Sequence, residues 1–395
     1  MILNRRSFLS TTAAAGLAGS CRAFAAEPRL RVAVIGHTGR GNYGHGIDTL
    51  WLEVPETEIV AVADPDERGL ASAVERLKAG KSFADYRRML DEIKPDLVAI
   101  GPRHVDQHRD MVVAAAAAGA KGVYIEKPLC RTLAEADDMV AACARSNTKV
   151  AVAHRNRYHP VLPVITKLLA DGAIGRLLEV RARGKEDQRG GSLDLWVLGS
   201  HLLNLMHYFG GRPLACSAVV LQGGKAVTKA DVREGDEGVG PLAGNEVHAR
   251  FEMERGQPAF FDSVQGAGNS AAGFGIQLIG TGGIIDLRAD REPNAYLLAG
   301  SPFVPVTDPR AWTVITSGGV GVPEPIADIR AQVGGHLAPA RDLIASIRED
   351  RAPLCSLEDG RVTMEMIMGI FESHRQGGAS VALPLETREN PLGLL

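Results

Sequence analysis

A strand-like run, Leu30–Ile35 (LRVAVI), stops at a glycine-dense stretch, Gly36-His37-Thr38-Gly39-Arg40-Gly41-Asn42-Tyr43-Gly44. Glycine at this spacing lets a backbone turn sharply and approach a phosphate with no Cβ in the way. Two registers fit a dinucleotide fingerprint. Gly36-x-Thr38-x-x-Gly41 begins at the strand end with Thr38 in place of the second glycine, and Gly39-x-Gly41-x-x-Gly44 matches literally three residues later. A helix expected over 47–54 would add free N–H groups and a positive dipole behind the loop. Asp64 closes the next apolar run, Glu58–Ala63 (EIVAVA), 23 residues past Gly41. A carboxylate there accepts hydrogen bonds from the ribose hydroxyls of an adenosine and repels a 2′-phosphate. The expected cofactor is therefore NAD rather than NADP, held by Gly36, Thr38, Gly39, Arg40, Gly41 and Asp64.

The elements around these residues alternate. Strand patterns at Leu30–Ile35, Glu58–Ala63, Asp96–Ile100, Gly122–Ile125 and Lys149–Ala153 are separated by helical patterns over 66–78, 84–93, 104–118 and 133–144. Short, continuously apolar strands alternating with helices predict a doubly wound parallel sheet. From Leu214 to Val306 the chain instead alternates with period two between Gly-rich turns, the pattern of a mostly antiparallel open sheet. Helices are expected over 161–169, 193–209, 338–347 and 361–373, and a long Gly/Pro-rich loop over 306–334. The fold class is α/β: a Rossmann domain over 29–153 and a C-terminal α/β domain over 154–395.

Composition bounds the rest. The chain has 395 residues, 45% hydrophobic and 23% charged, with a formal net charge of −3. That is globular usage, with no basic field for nucleic acid. No uncharged apolar run reaches the ~18 residues of a membrane span. Five Cys without a CxxC pattern, and no HExxH, argue against a disulfide scaffold and a catalytic metal. Residues 1–25 carry Arg5-Arg6 before Ser7-Phe8-Leu9, a weakly apolar stretch, and Ala23-Phe24-Ala25. This resembles a twin-arginine export signal with an A-x-A cleavage site, so a periplasmic protein is expected. Cleavage would remove Arg5, Arg6 and Arg22 and shift the net charge from −3 to −6.

Glu126-Lys127-Pro128 ends the Gly122–Ile125 run. Together with VAVIGHTGRG (32–41), VAVADPD (60–66), Gly101-Pro102 with His108, AGAKGVYIEKPL (118–129), Arg157-Tyr158-His159-Pro160 and GTGGIIDL (280–287), it makes the chain resemble the glucose–fructose oxidoreductase/inositol dehydrogenase (Gfo/Idh/MocA) family. The resemblance implies that Lys127 lies at the nicotinamide and contacts the hydroxyl that loses hydride. It implies that Glu126, Pro102 and His108 border the cofactor, and that Arg157 and Tyr158 shape the junction with substrate. The family's helix signature Asp-x-Gly-x-His-x-x-Asp is met by Val197-Leu-Gly199-Ser-His201-Leu-Leu-Asn204, which keeps Gly199 and His201 and loses both acids. His201 is the second expected catalytic residue and Asn204 a substrate contact. Glu186 and Asp187, in the polar run 185–191, are candidates to supply the missing acid. The expected activity is hydride transfer between a sugar, cyclitol or related polyol hydroxyl and tightly bound NAD. Two alternatives stand beside it: NAD-assisted glycoside cleavage without net redox, and a non-catalytic sugar-binding relative. The C-terminal sheet is the expected homo-oligomer interface.

Overall fold

The computed structural model describes residues 28–268 and 273–395, so the twin-arginine stretch lies outside the described residues. Six parallel strands form the N-terminal sheet: β1 (Leu30–Ile35), β2 (Thr57–Ala63), β3 (Lys81–Phe83), β4 (Leu97–Ile100), β5 (Gly122–Ile125) and β6 (Lys149–Val152). Their order is β3-β2-β1-β4-β5-β6. The chain reverses direction across the sheet between β1 and β4, and ligands of such sheets bind at the carboxyl ends beside that switch point. β4 and β5 are buried at every position, as a strand covered on both faces requires.

Helices α1 (Glu67–Leu77), α2 (Tyr86–Ile93), α3 (His108–Ala117) and α4 (Leu133–Ser146) cover the faces. Asp66 caps α1 by accepting from the Gly69 N–H, and Thr132 caps α4 by accepting from the Glu135 N–H. The helix expected over 47–54 is not formed. Turns lead into one short 3-10 helix, Leu50–Glu53. Gly39, Gly41, Asn42, Gly44 and Gly46 all have positive φ. The chain up to Leu50 is therefore a run of turns.

The C-terminal sheet has 11 strands. Leu177–Arg183 pairs parallel with Pro258–Val264, and the remaining ladders are antiparallel. Two buried helices, Ser200–Gly210 and Leu357–Arg375, pack on one face. The other face alternates charged side chains, including Arg181, Arg250 and His248. The helix expected over 193–209 is divided: a turn at Ser192–Asp194, a π-helical stretch at Leu195–Gly199, then the α-helix from Ser200. The expected loop over 306–334 contains strands Thr313–Thr316 and Gly319–Val320 and the helix Ile329–Gly334. Buried Ile315 pairs with Ala295 and seats this segment on the sheet.

Candidate active site

The glycine loop is a tight hairpin. His37 and Asn42 exchange two backbone hydrogen bonds of 3.0 Å around a tip at Gly39. Asp64 clamps it: the carboxylate accepts from the Thr38 N–H (3.1 Å), the Thr38 hydroxyl (2.7 Å) and the Asp66 N–H (2.9 Å), and is 0% exposed. Arg40 bridges to Asp106 at 2.6 Å. A Cβ on Gly36 would stand 2.1 Å from the Tyr43 ring, and one on Gly41 would stand 2.2 Å from the Arg103 nitrogen. Gly36 is thus required by the packing of Tyr43.

A dinucleotide fits this frame at two points. Open space surrounds Gly39, where a Cβ would meet nothing within 4 Å, so loop N–H groups can be approached closely. The loop also ends at His45, beside the Glu126-Lys127 strand end. Asp64 departs from its expected role, because its carboxylate faces Thr38 instead of an open ribose site.

Glu126 is 1% exposed. Its Oε1 accepts from the His45 N–H (3.0 Å) and lies 2.8 Å from His45 Nδ1, and its Oε2 accepts from the Lys127 N–H at 3.0 Å. Burial pushes this carboxyl up, but the His45 hydrogen bond and the charges of Lys127, His45 and His336 outweigh it and hold it at about 2. An ionised carboxylate only accepts. His45 Nδ1 therefore carries the proton in this pair, and Nε2 is the ring's other face.

Lys127 follows, joined to Pro128 by a cis peptide. Its Nζ donates to the Val197 carbonyl oxygen at 2.8 Å. Burial lowers its pKa, opposed by Glu126 and Glu237. At the position where the family signature has its first Asp, the π-helical backbone meets the lysine with a carbonyl. His201 packs edge-to-face on His154 with ring centroids 5.2 Å apart. Burial, and after it Lys127, holds both imidazoles well below the usual range. His201 Nδ1 has no hydrogen-bond partner among the described residues.

Lys127, His201, His45, Arg155, Lys185 and Asp290 line one cleft of about 180 Å³. Pockets for drug-sized ligands run ~300–1,000 Å³, so this one suits a single small polar unit. Its chemistry is a buried lysine of lowered pKa, two histidines that burial keeps neutral, His201 and His336, and His45 backed by a carboxylate. That set can move a proton to or from a hydroxyl.

Several expected contacts lie elsewhere. Arg157 donates to the Asn204 carbonyl (3.0 Å), to Asn204 Oδ1 (3.1 Å) and to Asp359 (2.7 Å), and stacks on Tyr208. Asn204 Nδ2 donates to Thr363. The Tyr158 hydroxyl donates to the Cys355 carbonyl. These three side chains form a buried pillar between the two helices and the Arg155–Tyr158 turn, not a substrate contact. Glu186 accepts from Arg183 (2.7 Å) and the Val264 N–H (2.9 Å), and Asp187 pairs with Arg189. Neither lines the cleft: Glu186 is tied to two strand ends and Asp187 to its own loop, whereas Lys185 of the same run does line it. His108 is buried with its ring nitrogens 2.7 Å from the Pro102 carbonyl and 2.9 Å from that of Pro128, tying that turn to the lysine. Arg155 and His45 line the cleft without belonging to any motif quoted above. Arg155 stands two residues before the recognised Arg157-Tyr158, and His45 immediately follows Gly44.

Residues 30–154 match the oxidoreductase family NAD-binding Rossmann fold, and residues 167–383 match the same family's C-terminal alpha/beta domain. The chain belongs to the Gfo/Idh/MocA oxidoreductase family. It is accordingly an oxidoreductase with an NAD-binding domain, its two matched segments holding the two sheets described above. It is similar to D-apiose dehydrogenase of Paraburkholderia graminis, 25% identical over 83% of this chain and 84% of that one. It also resembles levoglucosan dehydrogenase of Pseudarthrobacter phenanthrenivorans, 27% identical over 60% of this chain and 66% of that one. Among solved structures, levoglucosan dehydrogenase in complex with NADH and L-sorbose superposes with a TM-score of 0.72 at 21% identity, covering 90% of this chain and 99% of that one. An NAD-binding oxidoreductase from Klebsiella pneumoniae gives 0.69 at 20% identity, over 91% of this chain and 100% of that one.

Proposed function

We propose that this protein transfers hydride between one carbinol of a sugar, cyclitol or related polyol and tightly held NAD. The observation that carries the reading is the cleft in which the Glu126-Lys127 strand end, the glycine loop's His45 and His201 converge. The named dehydrogenases it resembles support a carbohydrate-like substrate. Bound NAD supplies the hydride acceptor. In its amine form Lys127 keeps one N–H on the Val197 carbonyl and offers its lone pair to the substrate hydroxyl, taking the proton. His201, kept neutral by burial, orients the same oxygen. His45, held by Glu126 and half exposed, passes the proton towards solvent.

Lys127→Met tests this reading. Turnover with NAD and a panel of sugars and polyols should fall by ~10²–10⁴-fold, the usual cost of losing a positioned acid–base group, while NAD binding persists. Full activity would end the assignment. Product released from a glycoside without NADH would favour cleavage without net redox. Export by the twin-arginine route and self-association through the helix-free face of the C-terminal sheet complete the proposal. Replacing Arg5 and Arg6 by lysine should abolish periplasmic accumulation, and sedimentation should show more than a monomer.

A further inference from the structure

A second cavity, of about 630 Å³, shares two chain segments with the cleft of about 180 Å³. Trp312, Pro293 and Val322 form apolar walls, and His159, Glu292 and Asn294 stand among its polar groups. Two chain segments link the two spaces. Asp290 lines the cleft and Glu292 the cavity, two residues and at most ~7 Å of chain apart. Asn156 lines the cleft and His159 the cavity, about one 3-10 turn, or ~6 Å, further on.

The polar groups are built, not incidental. His159 and Asn294 are 3% and 4% exposed. His159 Nδ1 accepts from the Val161 N–H, which leaves Nε2 to donate to Glu292 at 3.0 Å. Asn294 Oδ1 is buried without a hydrogen-bond partner among the described residues, a costly state that a ligand donor would relieve. Glu324, another lining residue, already accepts from the Ser317 hydroxyl and N–H. Acceptors and carboxylates disfavour an anion. A wholly apolar ligand would leave Asn294 and Glu292 desolvated. A ring with an apolar face for the indole and hydroxyl donors at its edge meets both conditions.

We propose that this cavity is a subsite for a second sugar ring, the half of a disaccharide-like glycoside that is not oxidised. The proposal rests on the reading of the cleft as the reacting site, but its test does not need turnover. Trp51 and Trp196 are 1% and 0% exposed and Trp312 is 44% exposed, so solvent-sensitive indole emission belongs to Trp312. The full-length protein is titrated with cellobiose, maltose, sucrose and trehalose, with glucose and phenyl glucoside as comparison arms. At least one disaccharide should give a saturable blue shift and protection from acrylamide quenching, with glucose at least roughly tenfold weaker. Asn294→Ala should weaken that disaccharide about tenfold, the scale of one lost hydrogen bond. The assignment is overturned if no disaccharide acts, if glucose acts equally, or if Asn294→Ala changes nothing. It is overturned equally if only phenyl glucoside acts, which makes the occupant an aryl group, or if emission follows protein concentration alone, which makes it a second copy of this chain. Loss of oxidation in Lys127→Met, with a saturable Trp312 response to the disaccharide still present and still weakened by Asn294→Ala, separates the two readings.

Discussion

At the scale of single residues, the site turns on where charge is allowed. Lys127 is buried, and burial favours its neutral amine. Glu126 works against that by holding a negative charge beside it. Removing the charge with Glu126→Gln should lower the Lys127 pKa further, so the base stays deprotonated to lower pH. The acid limb of the kcat/KM profile should therefore move down in pH, while loss of the His45 anchor reduces the plateau. An unmoved or upward-shifted limb would contradict Lys127 as the titrating base. The lysine itself was readable from its motif. Its partner was not: the Val197 carbonyl is 70 residues away, and a main-chain oxygen has no sequence signature.

At the scale of elements, the nucleotide loop is held by conformation and packing together. Gly39 and Gly41 both have left-handed φ, +83° and +86°, yet only Gly41 faces backbone, 2.2 Å from the Arg103 nitrogen. Gly39→Ala should cost about 1–2 kcal/mol, the backbone price of left-handed alanine. Gly41→Ala adds a main-chain collision and should lower the urea midpoint and NAD affinity clearly more. Equal effects would mean that Arg103 moves aside freely. Residues 47–54 show how local patterning fails here. Their apolar spacing is helical, but the glycine-rich turns run on to Thr49, and only the Leu50–Glu53 turn is helical. The Leu195–Gly199 π-helix is the same lesson in a longer element, with the His201 helix periodic in sequence and rewound in space.

Across the whole molecule, folding sequesters several imidazoles. Burial keeps His154, His201, His207 and His336 from protonating, His336 held down to about 4 against an ordinary value of 6.5. Below pH 6.5 the unfolded chain binds protons that the folded chain refuses, so stability falls as pH falls, by up to about 1.4 kcal/mol per pH unit for each histidine. Glu126, at about 2 against 4.5, adds a further loss below pH 4.5. Urea midpoints measured from pH 8 to pH 4.5 should decline steadily below 6.5. A flat profile would mean that these rings take up protons in the folded state.

The two sheets, the glycine loop after β1, the acid after β2 and the Glu126-Lys127-Pro128 strand end were legible in the amino-acid order, because apolar periodicity and adjacent motifs are local properties. What only the tertiary structure decided was which polar groups meet. His45 and Glu126 are 81 residues apart and share one buried oxygen. Asp64 turns to Thr38, 26 residues before it. Arg157, Asn204 and Asp359 spend their charges and amides on one another, leaving Arg155 and Lys185 to face the cleft. A side chain's chemistry is written in its type, but its role depends on whether burial has already given it a partner, and that is settled by contacts between distant parts of the chain.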